Sequence, residues 1–284
     1  MGVSTIASGE SSFAMGGGTI ASGDRSIAIG SETKASGHAS TAMGAATIAS
    51  GGASTAMGNA TTASGVRSTA MGYYTTASGH ASTAMGDNTT ASATSSTAMG
   101  SGTTASGFTS TAMGYNTLAS GYISTAMGSS TTASGMISTA MGDNTIANGH
   151  TSTALGCFTK AQAYASVVLG RGNVVSGDST MWISTDPLFV IGNGYDLNNS
   201  SNALTVYKNG NMDVNGNMDV NGIVTAVGGN STAWNNAYSW GNHATAGYLT
   251  SFTEVDGSVS NEIQTLSISH DTVSLSNGGF VKLP

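Results

Sequence analysis

The sequence predicts an all-β protein built as a parallel β-solenoid, and three observations support that prediction. Twelve glycines from Gly16 to Gly170 follow one another at a constant spacing of 14 residues, and a fixed short period is typical of chains that stack one unit on the next. The 284 residues combine 41 glycines with 39% hydrophobic and only 7% charged residues, whereas disordered chains are usually highly charged and poor in hydrophobic residues. Each unit also divides into two similar halves joined by short turns.

The unit over residues 40–51 illustrates how each half forms. Residues 40–44 read Ser-Thr-Ala-Met-Gly and residues 47–51 read Thr-Ile-Ala-Ser-Gly. Five residues suit a short strand, and the variable residues with glycine between them suit a tight turn. A helix would need apolar residues at a period of about 3.6 and would be weakened by glycine at every seventh position. We therefore expect each coil to run strand, turn, strand, turn.

Alternation along each strand assigns its two faces. In the first strand, Ser40, Ala42 and Gly44 should point to one side, and Thr41 and Met43 to the other. The alanines of both strands recur in almost every coil. We expect these alanine columns to face each other inside the coil, where two sheets leave room only for small side chains.

The outward side of the first strand carries an apolar row that we call the methionine row. With coils stacked about 4.8 Å apart, the row extends over roughly 50 Å. Soluble monomers seldom leave so long an apolar stripe in water, and three copies converging on one axis would bury it in a closed assembly. We therefore expect a homotrimer whose seam is formed by Met15, Ile29, Met43, Met57, Met71, Met85, Met99, Met113, Met127, Met141, Leu155 and Leu169.

The period fails after Gly177, which predicts three regions: the roll over 1–180, a capping and β-hairpin transition over 181–229, and a C-terminal fibre or connector over 230–284. Apolar residues at 187–191 should cap the open end of the roll. Turn signals at Asn209-Gly210, Asn215-Gly216, Asn221-Gly222 and Asn277-Gly278 predict hairpins or intertwined β segments. The last region contains Trp234 and Trp240 with few other apolar anchors.

Segments such as 54–58 (Ser-Thr-Ala-Met-Gly) and 61–65 (Thr-Thr-Ala-Ser-Gly) resemble the head repeat of trimeric autotransporter adhesins, the YadA-like head. The resemblance covers roughly residues 3–177 and implies a left-handed parallel β-roll that trimerises through the face carrying Thr55 and Met57. Similar repeats occur in tail fibres of bacteriophages and contractile injection systems, and segments 186–194, 201–210, 261–269 and 275–284 look like that fibre type. The resemblance implies an extracellular protein on a virion, an injection system or a cell surface, with baseplate or other fibre proteins as further partners.

The residues give little support to catalysis, and we expect no enzyme activity, cofactor or metal. His38, His80 and His150 share one column, but His38 and His80 are three coils apart, roughly 14 Å, which is too far to share a metal. Glu10 and Asp24 lie on adjacent coils and are the only pair suggesting a polysaccharide-degrading activity. Net charge is −7 without a basic patch, so nucleic acid is not an expected partner. No apolar stretch approaches the ~20 residues of a membrane span, and we expect no membrane insertion.

The variable turns are better candidates for function, because binding residues often lie on loops held by a rigid scaffold. Exposed aromatic side chains are common anchors for protein or sugar partners. The candidate receptor contacts are Tyr73, Tyr74, Phe108, Tyr115, Tyr122, Phe158 and Tyr164. The main interpretation is a structural and adhesive fibre segment that presents surfaces to a glycan or protein receptor. The alternative is an ice- or surface-binding solenoid that uses the row Thr62, Thr76, Thr90 and Thr104, although Lys34, Leu118 and Lys160 interrupt it.

Overall fold

The computed structural model describes residues 2–226, 229–230, 265–276 and 279–284, and within these ranges all regular structure is β-strand. The described chain forms two compact units, Met1–Asn217 and Met218–Pro284. Trp234 and Trp240 and the turn at Asn277-Gly278 lie outside the described residues. The expected all-β architecture with 14-residue coils is confirmed.

Each coil of the first unit contributes one strand to each of two sheets, a 12-stranded sheet of short strands and a 15-stranded sheet of longer ones, and the strands of successive coils are parallel. With strands numbered in chain order, the odd-numbered short strands β1 to β23 are Ile6–Ala7, Ile20–Ala21, Lys34–Ala35, Ile48–Ala49, Thr62–Ala63, Thr76–Ala77, Thr90–Ala91, Thr104–Ala105, Leu118–Ala119, Thr132–Ala133, Ile146–Ala147 and Lys160–Ala161. The even-numbered longer strands β2 to β24 are Phe13–Gly17, Ile27–Ser31, Thr41–Ala45, Thr55–Asn59, Thr69–Tyr73, Thr83–Asp87, Thr97–Ser101, Thr111–Tyr115, Thr125–Ser129, Thr139–Asp143, Thr153–Cys157 and Val167–Arg171.

The register of both sheets repeats the sequence period. Met71 lies opposite Met85, and Gly72 opposite Gly86, in the parallel pair β10–β12. In the short-strand sheet, Ala77 of β11 lies opposite Ala91 of β13. Each residue of the repeat is therefore stacked on its equivalents 14 positions away, and a column in the sequence becomes a row along the solenoid.

The core consists of small side chains, as the alternation predicts. Ala42 and Ala49 are fully buried and belong to two alanine rows that run through the interior. Ser40 and Thr47 are buried beside them, while Thr41 and Met43 point outward and are half-exposed. Because none of these core side chains is larger than threonine, the two sheets approach closely and the coil is thin.

One part of the face assignment is wrong. Gly44 does not point into the core: it is exposed with φ +125°, and a Cβ added there would fall on the carbonyl oxygen of Gly58 in the next coil. The glycine is required because its missing side chain would point along the stacking axis, where the coils touch.

A left-handed residue recurs at every seventh position and turns the chain between strands. In the coil over residues 40–53, the left-handed residues are Ala46 (φ 52°) after the first strand and Ala53 (φ 53°) after the second. Ile123 (φ 53°) and Ile137 (φ 57°) occupy the same kind of position, although left-handed backbone is unfavourable for β-branched residues. The stacked geometry overrides the local preference there.

The end of the roll is completed by three further strands, β25 (Pro187–Asn193), β26 (Asn202–Tyr207) and β27 (Met212–Val214). Strand β25 pairs in parallel with β24, and β26 and β27 continue the sheet antiparallel. In the core, Val168 and Val190 replace the alanine of earlier coils. The apolar segment at 187–191 thus extends the longer sheet instead of lying across its end.

The short-strand sheet ends at β23, and a buried side chain takes the place of the next strand. The amide of Asn173 accepts a hydrogen bond from the backbone N–H of Lys160 (2.7 Å) and donates to its carbonyl (3.0 Å). It also donates to the carbonyl of Val174 at 3.0 Å. One side chain therefore pairs the backbone of the last short strand and stops the sheet.

The second unit contains two small antiparallel sheets. One pairs β28 (Thr225–Ala226) with β29 (Gly229–Asn230). The other contains β30 (Leu266–Ser269), β31 (Thr272–Leu275) and β32 (Phe280–Lys282). Of the predicted turns, Asn209-Gly210 joins β26 to β27 in a hairpin, whereas residues 217–222, which include the turn signal Asn221-Gly222, form no strand.

Candidate functional site

The methionine row lies on the outer face of the longer sheet, with every member in register with the next. Most of its side chains are half-exposed, and Met15 and Leu155 are 43% and 40% exposed. The row also continues beyond the repeat, because Ile191 of β25 lies opposite Leu169. Sequence reasoning missed Ile191, since the chain between the two residues departs from the 14-residue period.

A second row runs beside the methionine row on the same face, and we call it the flanking row. It is formed by threonine over most coils, as at Thr69 and Thr83, which are paired in register. At the N-terminal end it is apolar, with Phe13 opposite Ile27, and at the other end Val167 lies opposite Phe189. At the two ends of the outer face both rows are therefore apolar, and neither row carries a charged side chain.

The first edge of the roll, formed by the turns after the longer strands, holds four of the candidate aromatic residues, of which Phe158 lies nearest the end of the roll. The rings of Tyr73 and Tyr74 meet edge to face, with centroids 4.4 Å apart and planes at 81°. Tyr115 stands three coils further along and is 63% exposed. Between them lies a hollow of about 530 Å³, lined also by Asp87, Asn88, Ser101, Gly102 and Asn116. A side-chain hydrogen bond with Tyr74 is the main cause of the raised pKa of Tyr73.

The opposite edge, formed by the turns after the short strands, holds a separate cluster. Phe108 and Tyr122 are stacked on adjacent coils, with centroids 5.1 Å apart and planes within 7°. Ile123, Met136 and Ile137 are exposed at the corresponding turns of the same and the next coil. The aromatic candidates chosen from the sequence include only Phe108 and Tyr122 of these five residues, although the spacing of 14 within each column is visible in the sequence.

The last two candidates lie near the end of the roll. Phe158 is half-buried and lines a hollow of about 450 Å³ with Asp196, Leu197 and Asn198 of the transition region. Tyr164 is half-buried, and the Nζ of Lys208 lies 5.8 Å from its ring centroid. Both side chains thus contact the structure that closes the roll, unlike the five exposed aromatic residues on the two edges.

Lys208 is the centre of that closing structure. Its side chain is fully buried, 4.9 Å from the ring centroid of Trp182 and 3.9 Å from a carboxylate oxygen of Asp186. Burial lowers the pKa of Lys208, while Asp186 and Asp178 act against that shift. Such an ammonium group, held by aromatic faces and one distant carboxylate, fastens the transition region to the last coils.

Two of the residues considered for chemistry make contacts between neighbouring coils. Asp24 accepts a hydrogen bond from the backbone N–H of Glu10 (3.0 Å), which ties two turns together. The thiol of Cys157 lies 3.8 Å from a carboxylate oxygen of Asp143. Over the described residues, no group of three His, Cys, Asp or Glu side chains is placed to hold a metal ion. The same part of the chain contains no helix long and apolar enough to cross a membrane.

The stacked coils, the core of alanine and hydroxyl side chains and the uncharged outer face define a repeat solenoid of the adhesin-head class. The chain belongs to the family of YadA head domain repeats, whose model matches residues 1–75, 77–103 and 105–156 in overlapping pairs of repeats. No curated protein is significantly similar to the chain. YadA head domains form homotrimers of an extracellular, adhesin-type class that is structural rather than enzymatic.

Proposed function

We propose that the chain is a homotrimeric, non-enzymatic fibre segment that spaces or presents receptor-binding surfaces outside the cell or virion. The observation that carries the proposal is the uncharged outer face formed by the methionine row and the flanking row. An apolar stripe of roughly 50 Å needs a cover, and a second and third copy of the same face offer one of matching length. Three parallel chains close the assembly and leave no stripe over.

The edges of the roll remain available for partners in this arrangement. Tyr73, Tyr115 and Tyr122 are among the exposed aromatic residues there, and three chains would present each of them three times. Repeated contacts raise avidity without a strong single site. A protein or glycan receptor, and baseplate or other fibre proteins at the ends, are the partners that this role requires.

Light scattering on a size-exclusion column tests the assembly, and a cell-binding assay with the same fractions tests adhesion. We expect a mass of three times the 28.0 kDa of one chain, with the elution volume of an elongated particle. We also expect the labelled trimer to bind a host surface and excess unlabelled trimer to displace it. A monomer at micromolar concentration would contradict the trimer, and a trimer without competable binding would leave only the spacing role.

One observation favours a second candidate function, an ice- or surface-binding solenoid. Thr62, Thr76 and Thr90 are half-exposed on the outer face of the short-strand sheet and lie in register, about 4.8 Å apart. Leu118 and Lys160 break the row further along. Thermal hysteresis separates the two functions: a clear freezing gap that disappears in Thr76→Lys would support ice binding, and we expect none.

A further inference from the structure

The first edge of the roll contains a trough produced by a change in side-chain size along two rows. One row reads Tyr73, Asp87, Ser101 and Tyr115, in register through β10, β12, β14 and β16. The second row reads Tyr74, Asn88, Gly102 and Asn116, the left-handed residues that follow. Both rows are smallest at Ser101 and Gly102 and larger on either side, so the edge is hollow at this coil.

The dimensions of the trough are set by the coil spacing. Tyr73 and Tyr115 are separated by three coils, or about 14 Å, and the hollow between them measures about 530 Å³. Gly102 lines its floor, and a Cβ added there would have only Asn116 within 4 Å, at 3.7–3.9 Å, so the place of a side chain is open. The trough therefore has the length of a short chain of sugar rings, with an aromatic wall at each end.

Its chemistry combines exposed aromatic rings with free polar groups. Tyr73, Tyr74 and Tyr115 are 50%, 55% and 63% exposed. The side chains of Asp87, Asn88 and Asn116 make no hydrogen bond to another side chain or to backbone within the described residues. A carboxylate and two amides thus offer both acceptors and donors to a ligand lying between the rings.

We propose that this trough binds a short neutral oligosaccharide. Sugar rings have C–H faces that pack on tyrosine and hydroxyl groups that pair with carboxylate and amide groups, and pockets use a few such polar groups to fix orientation. Asp87 and the net charge of −7 disfavour an anionic sugar. The inference rests on the proposed adhesive function and names the chemistry of its receptor.

Saturation-transfer NMR on the full chain tests the proposal, with maltotriose, cellotriose and chitotriose as neutral probes and sialyllactose as the anionic one. The variant Gly102→Asn fills the floor with a residue that already adopts left-handed backbone at Asn88 (φ 53°) and Asn116 (φ 52°). Ser130→Asn is its matched control, because Ser130 (φ 52°) occupies the same row outside the trough. Tyr115→Ala removes one wall.

We expect at least one neutral trisaccharide to bind the wild type, with affinity reduced tenfold or more in Gly102→Asn and Tyr115→Ala and unchanged in Ser130→Asn. Failure of all three neutral probes, stronger binding of sialyllactose, or equal binding by all variants would overturn the proposal. Light scattering on each sample distinguishes failure of the saccharide site from failure of the proposed trimer. A trimer that binds no sugar contradicts only the saccharide site, whereas a monomeric wild type contradicts the proposed fibre.

Discussion

Replacing Met85 by glutamate should dissociate the trimer while leaving each coil folded. In the single chain Met85 is half-exposed and points away from the core, whose adjacent residue Ala84 is fully buried. At the seam, each chain would lose about 1.5–3 kcal/mol of methionine burial. It would also bury a carboxylate, at an effective cost of several kcal/mol per ion. Symmetry places three such charges at one height along the trimer axis. The free-energy cost of the substitution therefore exceeds the stabilisation that the methionines at this position provide.

Sedimentation velocity measures the dissociation, and far-UV circular dichroism reports whether the β-roll persists. The matched control is Thr76→Glu, which places the same charge at a half-exposed position on the opposite sheet. We expect Met85→Glu to sediment as a folded monomer and Thr76→Glu as a trimer. The reasoning is refuted if Met85→Glu remains trimeric, or if both variants dissociate to the same extent.

Three further predictions concern stability, each measured as the free energy of unfolding in denaturant. Ile137→Asn should raise the free energy of unfolding by about 1 kcal/mol, because asparagine tolerates the left-handed backbone better than isoleucine. The control Ile146→Asn, at a strand position, should not raise the free energy of unfolding. Asn173→Leu should lower the free energy of unfolding by about 2–4 kcal/mol, since three hydrogen bonds are lost and the backbone of Lys160 is left unpaired. An unchanged free energy of unfolding would show that the end of the short-strand sheet needs no cap. For Lys208, the folded pKa lies below the ordinary 10.5, so the folded state binds fewer protons than the unfolded state between these values. Stability should therefore rise with pH through that window, and Lys208→Met should show a smaller rise than the wild type.

The coil was predictable because the repeat shows the same local preference twelve times. Alternation within five residues is weak evidence in one strand, but the recurrence of alanine at Ala42, Ala56 and their equivalents makes the inner face unambiguous. The position of the methionine row follows from the same alternation. The direction of Gly44 did not follow, because its positive φ takes the residue out of the alternating pattern.

The end of the roll was less predictable, since it depends on contacts between residues far apart in sequence. Nothing local marks Asn173 as the residue that pairs the last short strand, or Lys208 as the one buried between Trp182 and Tyr164. Ile191 joins the methionine row only after the chain has left the repeat and returned.

The candidate site was predictable as a set of residues but not as groups. Tyr73 and Tyr115 occupy the same column, 42 residues apart, and Phe108 and Tyr122 occupy another, 14 residues apart. Sorting the aromatic residues by column separates the two edges from sequence alone. The hollow itself depends on the small side chains at Ser101 and Gly102, which carry no signal of binding when read singly.

Chemical cross-linking of a single seam position tests the central claim most directly. In a Cys157→Ser background, Met99→Cys places one thiol per chain at the predicted seam, and Thr104→Cys places it on the opposite sheet. With a short bifunctional thiol reagent at low protein concentration, we predict linked chains for Met99→Cys and none for Thr104→Cys. Linkage through Thr104→Cys alone would contradict the account and place the contact between chains on the other face.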